Sequence, residues 1–146
     1  MNKVMVINGP NLNLLGTREP EMYGSNTLEQ INDSMNRLAS SLDMELTFYQ
    51  SDIEGEIIDQ LHKAGRDCDG VIINPAGYSH TSVAILDAIK SISIPVVEVH
   101  LSNIYKREEF RRKSITGSGA LGVISGFGKT GYHLAMRALR ERFDEK

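Results

Sequence analysis

The chain opens on a short apolar run, Val4 to Ile7, and comparable runs return at Leu46 to Gln50, Val71 to Ile73, Ile94 to Leu101 and Leu121 to Ile124. Between them the apolar residues change period. Leu28, Ile31, Met35, Leu38, Ala39 and Leu42 recur at helical spacing, as do Ile57, Ile58, Leu61 and Ala64, then Val83, Ile85, Leu86 and Ile89, and lastly Leu134, Met136, Leu139 and Phe143 in a helix expected from about Lys129. Thr27, with Gln30 three residues on, forms a capping box for the first of these helices. Gly65 falls near the end of the second, and Asn74 and Pro75 stop the third strand. Asp144, Glu145 and Lys146 read as a solvated tail.

Short apolar strands alternating with amphipathic helices predict an α/β fold: a parallel sheet covered on both faces and joined by right-handed crossovers. Five strands make this a doubly wound, flavodoxin-like sheet of order 2-1-3-4-5, in a single domain over residues 1–146. Ligands of such sheets bind beyond the carboxyl ends of the strands, where the strand order reverses. Three polar segments fall at those ends. They are the loop 8–24 (NGPNLNLLGTREPEMYG), the stretch Asn74 to Ser82, and His100 to Asn103. The first is longer than an ordinary connection, which marks it as functional.

Composition narrows the partner. With 146 residues, 40% of them hydrophobic, the chain fills one domain with a real core and leaves no room for a second. A net charge of -3, without a long basic face, gives no footprint for nucleic acid or an anionic membrane surface. No apolar run is long enough to span a bilayer, there is no cleavable signal pattern, and Cys68 is the single cysteine. The expectation is a cytoplasmic, reduced protein acting on a small molecule.

Each polar cluster suggests chemistry. A phenol such as Tyr23, ordinarily ionising near ~10, needs about 4 kcal/mol of favourable interaction to act as a base at neutral pH, and the guanidinium of Arg18 on the same loop is the obvious source. Spacing alone leaves open a solvated Arg18 above a packed Tyr23. In INPAGYSHTS, Ala76 and Gly77 let a ligand approach the backbone, and Ser79 or Thr81 caps the helix that follows. The start of that helix, flanked by Ser, His and Thr, suits an oxyanion or carboxylate. His80 is either part of that cradle or bonded to the backbone there. In VEVHLSN, Glu98 and His100 share one face of a buried strand while Val97, Val99 and Leu101 share the other. Burial of both is costly unless they pair, and a Glu that orients a His makes His100 a general acid or else a structural pair. His80, His100 and Glu98 show no recognised metal-ligand spacing, so no metal is expected. The run KREEFRRK (Lys106 to Lys113) is mostly a solvated charge run, from which one arginine could fold over the crevice to fix a carboxylate. GFGKTG does not complete a phosphate-binding loop, because Val123 stands where that motif needs Gly; a tight strand-to-helix turn explains its glycines.

Taken together, NGPNLNLLG, REPEMYG, the EGEIID from Glu54, NP-x-x-Y-S-H-T-S, VEVHLSN, REEFR and GFGKTGY span nearly the whole chain. In order and spacing they resemble the type II 3-dehydroquinate dehydratases, the small flavodoxin-like dehydroquinases of the shikimate and quinate pathways. The resemblance implies a lyase that dehydrates 3-dehydroquinate to 3-dehydroshikimate by anti elimination through an enolate, without metal or organic cofactor. It makes Tyr23 the base, Arg18 the charge that sustains its phenolate, and His100, oriented by Glu98, the acid. A water near Asn11 and Asn74 would meet the enolate. Asn74, His80, Leu101, Ser102 and Arg111 match residues that contact the substrate, and Asp87 matches one that reaches the ligand of an adjacent subunit. The implied assembly is a homododecamer built from trimers.

Some positions depart from the commoner pattern of that family. Ala76-Gly77 replaces Gly-Ala or Ala-Ala, Asp52 stands where Asn is usual, Arg112 and Lys113 replace a frequent His pair, and Thr116 to Gly119 is richer in Gly. These changes bear on lid motion and subunit packing, and touch no residue given a catalytic role. Two rival classes differ in what they need. A flavin- or nucleotide-binding module needs closely spaced glycines after the first strand, which are missing, and a non-catalytic interaction domain has no use for a buried Glu98 and His100.

Overall fold

A computed structural model describes residues 1–145. Five parallel strands, β1 (Asn2–Asn8), β2 (Met44–Gln50), β3 (Gly70–Asn74), β4 (Val96–His100) and β5 (Gly122–Ser125), form one sheet of order β2-β1-β3-β4-β5. The helices are a short α1 (Pro20–Tyr23), then α2 (Leu28–Ala39), α3 (Glu54–Asp67), α4 (Val83–Ser91) and α5 (Thr130–Asp144). The expected order and pattern of elements are present. Asp144 closes α5 and pairs with Arg140 at 2.9 Å rather than trailing free, and Lys146 lies outside the described residues.

Because β3 and β4 are buried on both faces, their sequences look uniformly apolar, yet their side chains still alternate between two cores. Val4, Val6, Ile72, Val97 and Val99 pack with Ile31, Met35, Met136 and Leu139 of α2 and α5. Met5, Ile7, Val71, Ile73 and Val96 pack on the opposite side with Ile57, Leu61, Ile85 and Ile89 of α3 and α4. Each fully buried Ile or Leu in these layers contributes roughly 1.5–3 kcal/mol.

The expected capping box is formed: Gln30 N donates to Thr27 Oγ1 and Thr27 N donates to Gln30 Oε1. The N-cap of α4 differs from expectation. Ser82 accepts from Ile85 N, whereas Ser79 lies inside a 3-10 turn spanning Ala76–His80 and donates to Ala76 O. That extra turn carries the chain beyond β3 before α4 begins. Gly65 sits within α3 because a Cβ there would stand 2.6 Å from Ile92 Cγ2. Among the described residues no helix is long and apolar enough to cross a membrane.

Candidate active site

The strand order reverses between β1 and β3, and their carboxyl ends, Asn8 and Asn74, are register partners. The opening loop leaves from here. Gly9 N donates to Asn74 O at 2.8 Å, and the backbones run so close that a Cβ on Gly9 would stand 2.5 Å from Pro75 O. Asn11 then takes a left-handed conformation (φ 69°), which Asn tolerates better than most residues. Its N–H donates to Asp52 Oδ1 at 2.9 Å, and Gln50 Nε2 donates to Gly9 O at 3.1 Å and to Asp52 Oδ1 at 3.2 Å. Tyr78 Oη donates to Asp52 O. Asp52, which stands where Asn is usual, thus ties the base of the opening loop to the segments after β2 and β3.

The tip of that loop, α1, brings Tyr23 back over the cleft. Arg18 lies against the ring face, its guanidinium carbon 4.7 Å from the centroid. The partner of the phenol oxygen is a different residue. Arg107 Nη2 donates to Tyr23 Oη at 3.1 Å, while its Nη1 donates to Ser102 Oγ at 3.0 Å. Arg107 belongs to the KREEFRRK run, and its side chain is only 8% exposed. Two 3-10 turns, Ile104–Lys106 and Glu109–Arg111, fold that run back over the cleft, so Arg107 and Arg111 both line it. Arg111 is held by Glu108, Nε to Oε2 at 2.6 Å.

Two histidines stack with ring centroids 6.3 Å apart and planes 22° from parallel; His80 is in the cleft lining, and His100 stands behind it, outside that lining. His80 Nδ1 donates to Lys113 O at 2.8 Å, which leaves Nε2 as an acceptor. Burial holds His80 below the ordinary imidazole value, with the His100 and Arg111 charges adding to the effect and the Lys113 carbonyl opposing it, so the ring is neutral at pH 7. His100, at the end of β4, is 5% exposed, and its Nε2 donates to Glu98 Oε2 at 2.7 Å.

Glu98 is completely buried. Burial raises its pKa, but the hydrogen bond and charge of His100 and the hydroxyls of Ser114 and Thr116 outweigh it and hold the carboxyl below the usual range. The 116–119 stretch, where the chain departs from the commoner family pattern, supports Glu98 directly. A Cβ on Gly117 would come within 3.1 Å of Glu98 Oε2 and 2.9 Å of Ser114 Oγ.

Most expected site residues converge. Asn11, Arg18, Tyr23, Asn74, His80, Leu101 and Arg111 line one cleft, with Ala76, Gly77 and Arg107. Ser102 lines an adjoining hollow that shares Tyr23, Leu101 and Arg107 with the cleft. Asp87 does not join them, being exposed on α4. Among the described residues no carboxylate lines the cleft while three guanidinium groups do, a charge balance that suits an anion. Among the described residues no three His, Cys, Asp or Glu are grouped to hold a metal. Gly126 and Gly128 take positive φ (104° and 56°) in the turn into α5, as a strand-to-helix turn demands.

Such a cleft, at the switch point of a doubly wound sheet and lined by a phenol, an imidazole and guanidinium groups, is where an α/β enzyme binds a small molecule. The family described as dehydroquinase class II matches residues 2–140. A 3-dehydroquinate dehydratase of Clostridium botulinum is 57% identical over 136 residues, covering 93% of this chain and 92% of that protein. One of Aliarcobacter butzleri is 54% identical over 143 residues, covering 98% and 87%. The crystal structure of a type II dehydroquinase from Butyrivibrio crossotus superposes with a TM-score of 0.93 at 45% identity, over 94% of this chain and 97% of that one. The chain belongs to the class II dehydroquinase family and is an enzyme of that kind.

Proposed function

We propose that this enzyme dehydrates 3-dehydroquinate to 3-dehydroshikimate by anti elimination through an enolate. The observation that supports the reading is a phenol and an imidazole lining one guanidinium-rich cleft: Tyr23, bonded to Arg107, and His80, against whose ring stacks His100, held in turn by the buried Glu98. Tyr23, as phenolate under the influence of Arg107 and Arg18, takes a proton from the carbon alpha to the ketone. The C–H pair moves into the ring and the carbonyl becomes an enolate. A water held near Asn11 and Asn74 meets that charge.

In the second half the enolate collapses, the C–O bond breaks, and His100 gives its proton to the departing hydroxyl, which leaves as water. His100 recovers a proton and Tyr23 loses one through solvent, so the enzyme returns to its starting state with one water released. With Nε2 committed to Glu98, Nδ1 is the nitrogen that serves as acid. His80 Nε2, an acceptor, suits a substrate hydroxyl, and Arg111 suits the substrate carboxylate, with Leu101 and Ser102 completing the seat.

The same step serves aromatic biosynthesis and quinate breakdown. We place the enzyme in the cytoplasm, in a homododecamer of trimers where Asp87, exposed on α4, reaches the cleft of a neighbouring copy. Purified protein mixed with 3-dehydroquinate in chelator-treated neutral buffer should generate the ultraviolet absorbance of a conjugated enone. No absorbance change would overturn the reading.

A further inference from the structure

Beneath the cleft floor lies a chain of hydrogen bonds that the scheme above does not use. Asn8 and Asn74 end neighbouring strands in register, on the face that packs against α2 and α5. Tyr132, in the first turn of α5, reaches both from below. Asn74 Nδ2 donates to Tyr132 Oη at 3.0 Å, and Tyr132 Oη donates to Asn8 Oδ1 at 2.6 Å. Tyr132 is completely buried, and Asn8 and Asn74 nearly so.

The direction of each bond follows from one backbone group. Ala76 N–H can only donate, and it does so to Asn74 Oδ1 at 3.1 Å. That fixes which end of the Asn74 amide is the oxygen, so the end facing Tyr132 is the NH2. The Tyr132 oxygen must then accept from Asn74, and its own proton goes to Asn8 Oδ1. Burial drives the phenol pKa up, so the hydroxyl stays protonated and the direction of the chain does not change across the working pH range. One Nδ2 hydrogen of Asn74, a residue that lines the cleft, is left unused by this chain.

We infer that Tyr132 is a positioning residue: its hydroxyl locks the Asn74 amide so that the remaining N–H is presented to the reacting ligand. This rests on the dehydration reading, in which Asn74 supports the water that meets the enolate. Without the hydroxyl, two buried amides lose their shared partner, and the Asn74 amide is held at its oxygen end alone, by the Ala76 N–H.

The test is steady-state kinetics on 3-dehydroquinate for the wild type, Tyr132→Phe, Asn8→Ala and the double variant, with thermal unfolding measured alongside. Tyr132→Phe keeps the ring in the core and should lower kcat by roughly 10- to 100-fold, less than the ~10²–10³ that losing an oxyanion donor outright costs. KM should change by less than about threefold, since the group acts on the developing charge. The pH profile should keep its shape, because Tyr132 does not titrate. Asn8→Ala should show the same kcat loss, and the double variant should be no slower than Tyr132→Phe, because both break one chain. Should Tyr132→Phe fail to fold, Asn8→Ala alone decides: a native kcat there overturns the inference. A Tyr132→Phe enzyme with lower Tm but native kcat, or a loss confined to KM, or additive losses in the double variant, would reduce Tyr132 to a core residue. A silent wild type overturns the dehydration reading itself and this inference with it, an outcome distinct from an active wild type matched by its variant.

Discussion

Arg107 donates to the Tyr23 hydroxyl at 3.1 Å, joining residues 84 positions apart, while Arg18, five residues from Tyr23, lies over the ring face instead. The two guanidinium groups therefore differ in what they offer an ionised phenol. Arg107 supplies a hydrogen bond and a charge at the oxygen; Arg18 supplies charge from the side of the ring.

Arg107→Met should lower kcat/KM by on the order of 10²–10³-fold and displace the rise of the rate with pH to higher pH. Arg18→Ala should act in the same direction but less strongly. Full pH–rate profiles for both variants check this. An Arg107→Met enzyme with an unmoved profile would mean that the bond to Tyr23 plays no part in forming the base.

Glu98 makes a separate prediction about acid stability. Its folded pKa lies below the unfolded carboxylate value of ~4.3, so the carboxylate stabilises the fold above that pH, and the contribution disappears as pH falls through the folded pKa. Glu98→Gln should cost about 2 kcal/mol at pH 7, because the hydroxyls of Ser114 and Thr116 lose a charged acceptor, and should flatten the fall in stability below pH ~4. Urea unfolding of both proteins between neutral and acid pH measures it. Parallel stability curves would show that Glu98 is not the group responsible. Turnover by the variant should fall on the order of 10–100-fold as His100 loses its orienting anion.

Gly9→Ala tests how closely the two cleft loops must approach. A methyl group 2.5 Å from Pro75 O meets backbone rather than a flexible side chain, so the loops must part. The expected cost is about 1–3 kcal/mol of stability, with a larger loss of activity than of fold, because Asn11 and Asn74 separate. Circular dichroism melts and enzyme assays on one preparation check both parts. Native activity in this variant would show that the spacing of the loops does not matter to the reaction.

Much of this site can be read from the chain, and what escapes does so for physical reasons. Alternation within a strand puts Glu98 and His100 on one face, and the carboxyl ends of β1 and β3 bring Asn11 and Asn74 to one cleft once the strand order is known, with His100 of β4 stacked on His80 beside it. Arg107 is hidden because KREEFRRK has the composition of a solvated run, and only two consecutive 3-10 turns bring it, with Arg111, to the cleft. Ser114 and Thr116 leave only the faint signal of two hydroxyls after a buried carboxylate. Tyr132 is a buried position of α5, and the work of its hydroxyl depends on a strand register that periodicity does not specify.

Asp87 bears on assembly. If a neighbouring copy completes the cleft, Asp87→Ala should lower kcat/KM with little effect on the unfolding temperature, since the side chain is exposed on α4. Light scattering of the wild type should report a dodecamer. A fully active monomer would contradict the proposed assembly.

The central claim is that Tyr23 is the base, and Tyr23→Phe tests it most directly. Enone formation from 3-dehydroquinate and calorimetric binding of the same ligand should be measured on the variant and the wild type. Loss of turnover by more than about 10³-fold, with affinity retained within a few-fold, is the predicted result, since only the ionisable oxygen is removed. A Tyr23→Phe enzyme that still forms product at close to the native rate would contradict the account.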